Sequence, residues 1–161
     1  MLRRRSEGPP NWIHAEKLSQ LRAGVAGGHV LRLIEAQDLL RSLPSPEAIL
    51  DQRLVLATPH TLVERLEAGG GGWQLGDAEL SLDEGLGFSG SIDPPTLRLL
   101  PLLDGERTVR DALGEVAGAF NMAEPPEHRE AFVRAGVPMV TRLFSLGFLI
   151  PGGLETSADE G

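Results

Sequence analysis

The chain has 161 residues, 41% of them hydrophobic and 24% charged, which is enough to bury one real core and places it among globular proteins rather than disordered ones. It contains no cysteine, so disulfide frameworks, thiolate metal sites and cysteine nucleophiles are excluded together. A formal net charge of −8 repels polyanions, which disfavours general binding to nucleic acid or to an acidic membrane.

Met1-Leu-Arg-Arg-Arg-Ser6 opens like the charged part of an export signal, but Glu7-Gly-Pro-Pro-Asn11 follows in place of an apolar stretch. The chain therefore reads as cytoplasmic, with an N-terminal arm and weak helix over residues 1–28, in which Leu18, Leu21 and Val25 keep a helical spacing. No apolar run approaches the ~20 residues needed to span a bilayer.

One α+β domain is expected over residues 29–151, divided into a helical part (29–52), an antiparallel β-meander (53–92) and a three-helix unit (93–151). The first helix runs from His29 to Leu43, with Val30, Leu33, Ile34, Leu40 and Leu43 on its apolar face and Arg32, Glu35 and Asp38 outside. Pro44 stops it, and Ser45-Pro46-Glu47 restarts a short helix.

Around Arg53 the period shortens to two. Leu54–Thr58, His60–Glu67, Gly72–Leu75, Ala78–Leu82 and Leu86–Ser89 read as short strands, broken at Gly69–Gly72, Gly76-Asp77 and Asp83–Gly85. Ala78, Leu80 and Leu82 alternate with Glu79, Ser81 and Asp83, the pattern of a sheet with one buried face.

Asp93 and Pro94 start the next helix, which Pro101 bends or shortens. Asp104-Gly105 makes a turn, and Thr108 with Asp111 forms a variant capping box for a helix from Val109 to Phe120 that buries Val109, Leu113, Val116 and Phe120. A third helix runs from Glu127 to Ser145, kinked at Pro138, with Phe132, Val133, Val137, Val140 and Phe144 inside. Gly147 supplies a left-handed helix end, and Phe148–Ile150 returns as a strand to the preceding sheet. Residues 152–161 form an acidic tail, expected to be disordered. Three helices and a closing strand are the skeleton of a winged helix, a scaffold with many unrelated functions.

Candidate sites are sparse. Gly69–Gly72 lacks the strand-before, helix-after context of a phosphate loop and reads as a hairpin tip, and Gly24–Gly28 reads as a helix break. His14, His29, His60 and His128 are scattered without ligand spacing, the nearest approach being His128 with Glu124 or Glu127. Ser89-Gly90-Ser91 lacks the context of a nucleophile elbow.

No catalytic, cofactor or metal residue is assigned, and the chain reads as non-enzymatic. Between Pro94 and Pro151 seven acids face six arginines, against the basic excess of a DNA-binding face. Trp12 and Trp73 are candidate partner contacts, with packing in the core or hairpin as their simpler role. Interaction positions are Trp73, Asp104, Arg107, Arg110, Arg129 and Arg134.

Segments His29–Leu43, Arg53–Leu66, Gly85-Leu-Gly-Phe-Ser-Gly-Ser-Ile-Asp-Pro94, Leu102-Leu-Asp-Gly-Glu-Arg-Thr-Val109 and Pro138–Pro151 resemble the C-terminal domain of a bacterial, mostly actinobacterial, family of class I S-adenosylmethionine-dependent methyltransferases. The likeness covers about three quarters of the chain; Met1–Ala26 falls outside it, and Asn121–Pro126 sits where that family's loop varies. The turn and terminal Gly-Phe-Leu are also similar to other small winged helices, including peptide-binding chaperones of cofactor maturation.

The resemblance implies a non-catalytic accessory domain, either part of a longer enzyme or a free-standing module, that positions a substrate or a catalytic domain through the Phe88–Asp93 edge, the Asp104–Thr108 turn and the exposed arginines of the third helix. It carries over no catalytic residue, and S-adenosylmethionine enters only through a catalytic core joined to it. The implied partners are that core or its macromolecular substrate, with a second copy of the chain as a further candidate. The alternative is a free-standing winged helix that binds DNA or a peptide.

Overall fold

The computed structural model describes the backbone of Leu2–Arg3 and Trp12–Ile13 and residues 26–153. The expected helix around Leu18–Val25 and most of the acidic tail lie outside the described residues. The chain is α+β, as its two periodicities require.

A short antiparallel pair joins β1 (Leu2–Arg3) to β2 (Trp12–Ile13). Helix α1 spans Gly27–Ser42 and buries His29, Leu33 and Ala36. That seam lies to one side of the expected face: only Leu33 of the predicted apolar set is buried, while Val30, Ile34 and Leu40 are half-buried. A 3-10 turn over Pro46–Asp51 buries Ile49 and Leu50, with Ser45 in the cap position but giving the turn's backbone no side-chain bond.

Strand β3 (Leu54–Leu56) is followed by the meander of β4 (His60–Gly69), β5 (Gly72–Leu82) and β6 (Ser89–Ile92), antiparallel throughout in the order β4-β5-β6. Two expectations change here. Gly72–Leu82 is one strand, and Gly76 is the extra residue of a β-bulge, since Arg65 pairs with Asp77 while Leu66 pairs with Leu75. The strand expected at Leu86–Ser89 begins instead at Ser89, because Asp83–Gly87 is consumed by the turn around Gly85 (φ +80°) and His29.

Helix α2 (Pro94–Leu99) starts where Asp93 accepts the Thr96 amide at 2.8 Å, and Pro101 turns its end into a 3-10 segment, Leu100–Leu102. Helix α3 (Val109–Ala119) is capped by Thr108, whose hydroxyl accepts the Asp111 amide and donates to the Asp111 carboxylate at 2.6 Å. The predicted third helix is two helices, α4 (Pro126–Ala135) and α5 (Val137–Ser145), that meet at Gly136. The break belongs one turn before Pro138, because a proline has no amide to continue the ladder and sits comfortably only in a first turn. At the far end Gly147 takes φ +75°, the Phe148 amide donates to Leu143 and the Gly147 amide to Phe144, a complete left-handed helix stop.

Strand β7 (Leu149–Pro151) then returns to pair antiparallel with β3, the first strand expected of the preceding sheet, but β3 and β7 form a two-stranded sheet apart from β4-β5-β6. The Asp104 turn lies along the other side of β3, bridging Asp104 to Val55, with the Gly105 amide on Leu54 at 3.0 Å. One core joins α1, the 3-10 turn, β3, β5, α2 to α5 and β7: Leu33, Ile49, Leu54, Leu80, Leu99, Val109, Val133, Val140, Phe144 and Leu149 are buried in a single cluster.

Candidate functional site

The sheet's inner face outruns the body that covers it. Along β4 and β5, residues that pair across the ladder share a face, and alternate residues point the same way. Ala78, Leu80 and Leu82 on that inner face are buried. The same face also carries Leu62, Glu64, Leu66 and Ala68 from β4 with Leu75 and Trp73 from β5, one carboxylate in an otherwise apolar stripe, and it is open: Leu62 is 40% exposed, Leu66 52% and Trp73 74%. The bulge at Gly76 keeps Leu75 opposite Leu66 and Trp73 opposite Ala68, so the stripe continues to the hairpin tip.

The other face carries Thr61, Arg65, Glu67, Gln74, Asp77 and Glu79, interrupted only by Val63. The result is an amphipathic ribbon. It ends at Gly70-Gly71, and among the described residues no third strand pairs with it beyond Ala78, since β6 reaches only as far as the Ala78–Ile92 pair. Trp73 is thus not packed in core or hairpin, the simpler role that its composition suggested; of Trp12 only the backbone is described.

The Asp104–Thr108 turn is a closed electrostatic unit. Asp104 accepts the amides of Glu106 (2.9 Å) and Arg107 (3.0 Å) and pairs with the Arg107 guanidinium at 2.9 Å, which also reaches Glu115 at 2.8 Å. The Arg107 amide, then the Glu106 amide, then the guanidinium hold the Asp104 carboxyl at about 2, and Asp104 in turn raises Arg107 above its ordinary value.

Arg110 lies between Asp51 (3.5 Å) and Glu130 (3.3 Å), and Arg134 reaches the same Glu130 at 3.7 Å. Arg129 lies across Gly114, where any side chain would collide with its guanidinium. An opening of about 360 Å³ is ringed by Arg110, Asp111, Arg129 and Glu130 over Pro126 and Val133. Two cations and two anions there cancel. A smaller cleft, about 180 Å³, lies between Thr96, Leu113, Phe132 and Met139, below the ~300 Å³ at which ligand sites begin.

The positions expected to contact a partner therefore lie on separate structures: Trp73 on the ribbon, Asp104 and Arg107 on one turn, and Arg110, Arg129 and Arg134 around the α3–α4 seam. Along the Phe88–Asp93 edge Ser89–Ser91 and Asp93 are exposed, Ile92 is half-buried and Phe88 is buried against His29, while the Asp93 carboxylate is already engaged as the cap of α2. Phe120, expected inside, is half-buried under the Arg98 guanidinium, 5.7 Å from its ring centre.

His29, one of the four scattered histidines, is a core residue that joins three segments. Its ring is 2% exposed and stands edge-on to Phe88 at 5.3 Å. Nδ1 accepts the Leu86 amide at 3.0 Å, so the proton sits on Nε2, which donates to the Leu146 carbonyl at 2.9 Å. Burial lowers its pKa, only partly opposed by that carbonyl, and the Arg32 charge lowers it further. Gly85 and Gly147 make room for it: a β-carbon on either would come within 3 Å of the ring. Both nitrogens are used internally, so the residue ties α1 to the meander and to the end of α5 and is not a reactive group.

Among the described residues no group of three or more His, Asp or Glu stands ready to hold a metal, and no helix is long and apolar enough to cross a membrane. The chain matches no curated protein. Residues 32–151, from the second turn of α1 through β7, match the model of a family described as a domain of unknown function, DUF7782, and the chain belongs to that family.

Proposed function

We propose that this chain is a non-catalytic accessory domain that docks a protein partner on the apolar face of its β4–β5 ribbon, and that the partner is a class I methyltransferase catalytic domain or the macromolecule it modifies. The observation that carries the docking role is the stripe of exposed Leu62, Leu66 and Trp73 with half-buried Leu75, whose tryptophan is the side chain most enriched where binding energy concentrates. The choice of partner rests on the sequence resemblance at Gly85–Pro94, Leu102–Val109 and Pro138–Pro151. A DNA-binding role is disfavoured because Arg107, Arg110 and Arg134 already face carboxylates, and freeing each for a phosphate means breaking an ion pair.

The test uses the purified chain and a methyltransferase core encoded in the same reading frame or beside it. Binding by interferometry and the rate of methyl transfer are measured with and without the chain. Leu66→Ser and Trp73→Ser should each weaken binding by about tenfold or more, in the range of interface hot spots. Absence of binding and of any rate change for the unaltered chain would sink the proposal.

A further inference from the structure

The ribbon has an edge as well as a face. Among the described residues β4 pairs only with β5, so the alternate amides and carbonyls on its outer side between His60 and Gly69 have no strand partner, and the edge carries Glu64, Arg65 and Glu67 but no proline or lysine. Such an edge is a template for another strand unless something blunts it. From the order of its residues, we infer that the β4 edge pairs antiparallel with the β4 edge of a second copy, with Leu66 on the two-fold axis.

The register follows from alternation and charge. Two copies related by a two-fold axis keep their apolar stripes on the same side only if the axis passes through a residue, not between two. Centring on Glu64, Arg65 or Glu67 sets that charge against its own copy. Centring on Leu62 or Val63 carries Pro59, which lacks an amide, opposite Arg65 or Glu67.

Centring on Leu66 sets Leu66 against Leu66, Glu64 against Ala68, and Arg65 against Glu67, the last pair occurring twice by symmetry. Arg65 is available for it, since its 3.6 Å contact with Asp77 on the other side leaves both side chains more than 70% exposed. The two apolar stripes then merge into one floor, Leu75–Leu66–Leu66–Leu75 across four strands. The net charge of −8 opposes association at a distance, but at ~0.15 M salt that repulsion is screened beyond ~8 Å, while facing strands lie ~5 Å apart.

Charge reversal and cross-linking of the full chain test this at physiological ionic strength. Sedimentation equilibrium should show a concentration-dependent dimer. Arg65→Glu and Glu67→Arg should each weaken it by roughly tenfold or more, because each turns two opposite-charge pairs into two like-charge pairs, and the double reversal should restore it. An equimolar mixture of the two single variants should associate more tightly than either alone.

The chain has no cysteine, so Leu66→Cys alone should oxidise to a covalent dimer, while Val63→Cys, equally exposed at 52%, should not. A monomer at every concentration, a double reversal that fails to restore pairing, or equal cross-linking from both cysteines overturns the inference. These assays contain no methyltransferase, so their failure leaves partner docking on the ribbon's face standing, and the reverse also holds.

Discussion

Replacing His29 by leucine keeps an apolar side chain of similar bulk but strands two buried groups, the Leu86 amide that donated to Nδ1 and the Leu146 carbonyl that accepted from Nε2. Each unsatisfied group costs about 1–3 kcal/mol, and part of that is recovered as the leucine packs against Phe88. A net loss of about 3 kcal/mol is expected, a large share of the ~5–15 kcal/mol that holds such a domain together, and equivalent to a melting point lower by roughly 6–12 °C.

The pH dependence adds a second readout. The native ring has a lowered pKa, so as the pH falls the unfolded chain takes up its proton first, near the ordinary ~6.5. His29 therefore contributes its full stabilisation above about pH 6.5 and loses it on acidification below that, since an imidazolium can no longer accept from Leu86. Urea unfolding of both proteins from pH 8 to pH 5 measures the two effects, with the wild type falling more steeply than His29→Leu. A variant as stable as the parent at pH 8, or parallel pH profiles, would refute this account of the junction.

Gly147→Ala should destabilise by about 1–2 kcal/mol from the left-handed φ alone, and by more because its β-carbon would meet His29 Nε2 at 2.9 Å. Chemical denaturation measures it, and a neutral result would refute the steric argument. Asp104 should titrate at about 2 by carboxyl NMR, so its contribution is present above pH ~3.8 and disappears as the pH falls from there towards 2. A value near 4 would mean that the turn's amides do not hold the carboxylate in solution.

What the sequence made legible is what short spacings carry. Asp93 with Thr96, Thr108 with Asp111 and Gly147 behind α5 are local devices, each complete within a few residues, and each is found where its spacing placed it. Gly76 was misread because a glycine in an alternating pattern looks the same whether the chain turns or bulges, and only the partner strand decides. For His29 the sequence shows a helix start and no ligand spacing, and not its place in the core, because its partners stand 57 and 117 residues away.

The exposure of Trp73 and Leu66 has the same origin. Alternation tells which face a residue takes, but how far the helices reach beneath that face is a property of the assembled fold. Likewise Arg110 reads as a free cation until the chain brings Asp51 and Glu130 to it.

The ladder between β3 and β7 also has a kinetic consequence. Helices α3 to α5 and the β4–β5 hairpin close short loops and can form early, whereas pairing Leu54 with Pro151 joins residues nearly a hundred positions apart. That closure should be a late event in folding, and β7 an early one to detach, even though Leu54 and Leu149 are among the least exposed residues of the native state. Depth of burial and order of assembly are thus separate properties here, and the strand that completes the core is the one the nascent domain must wait for.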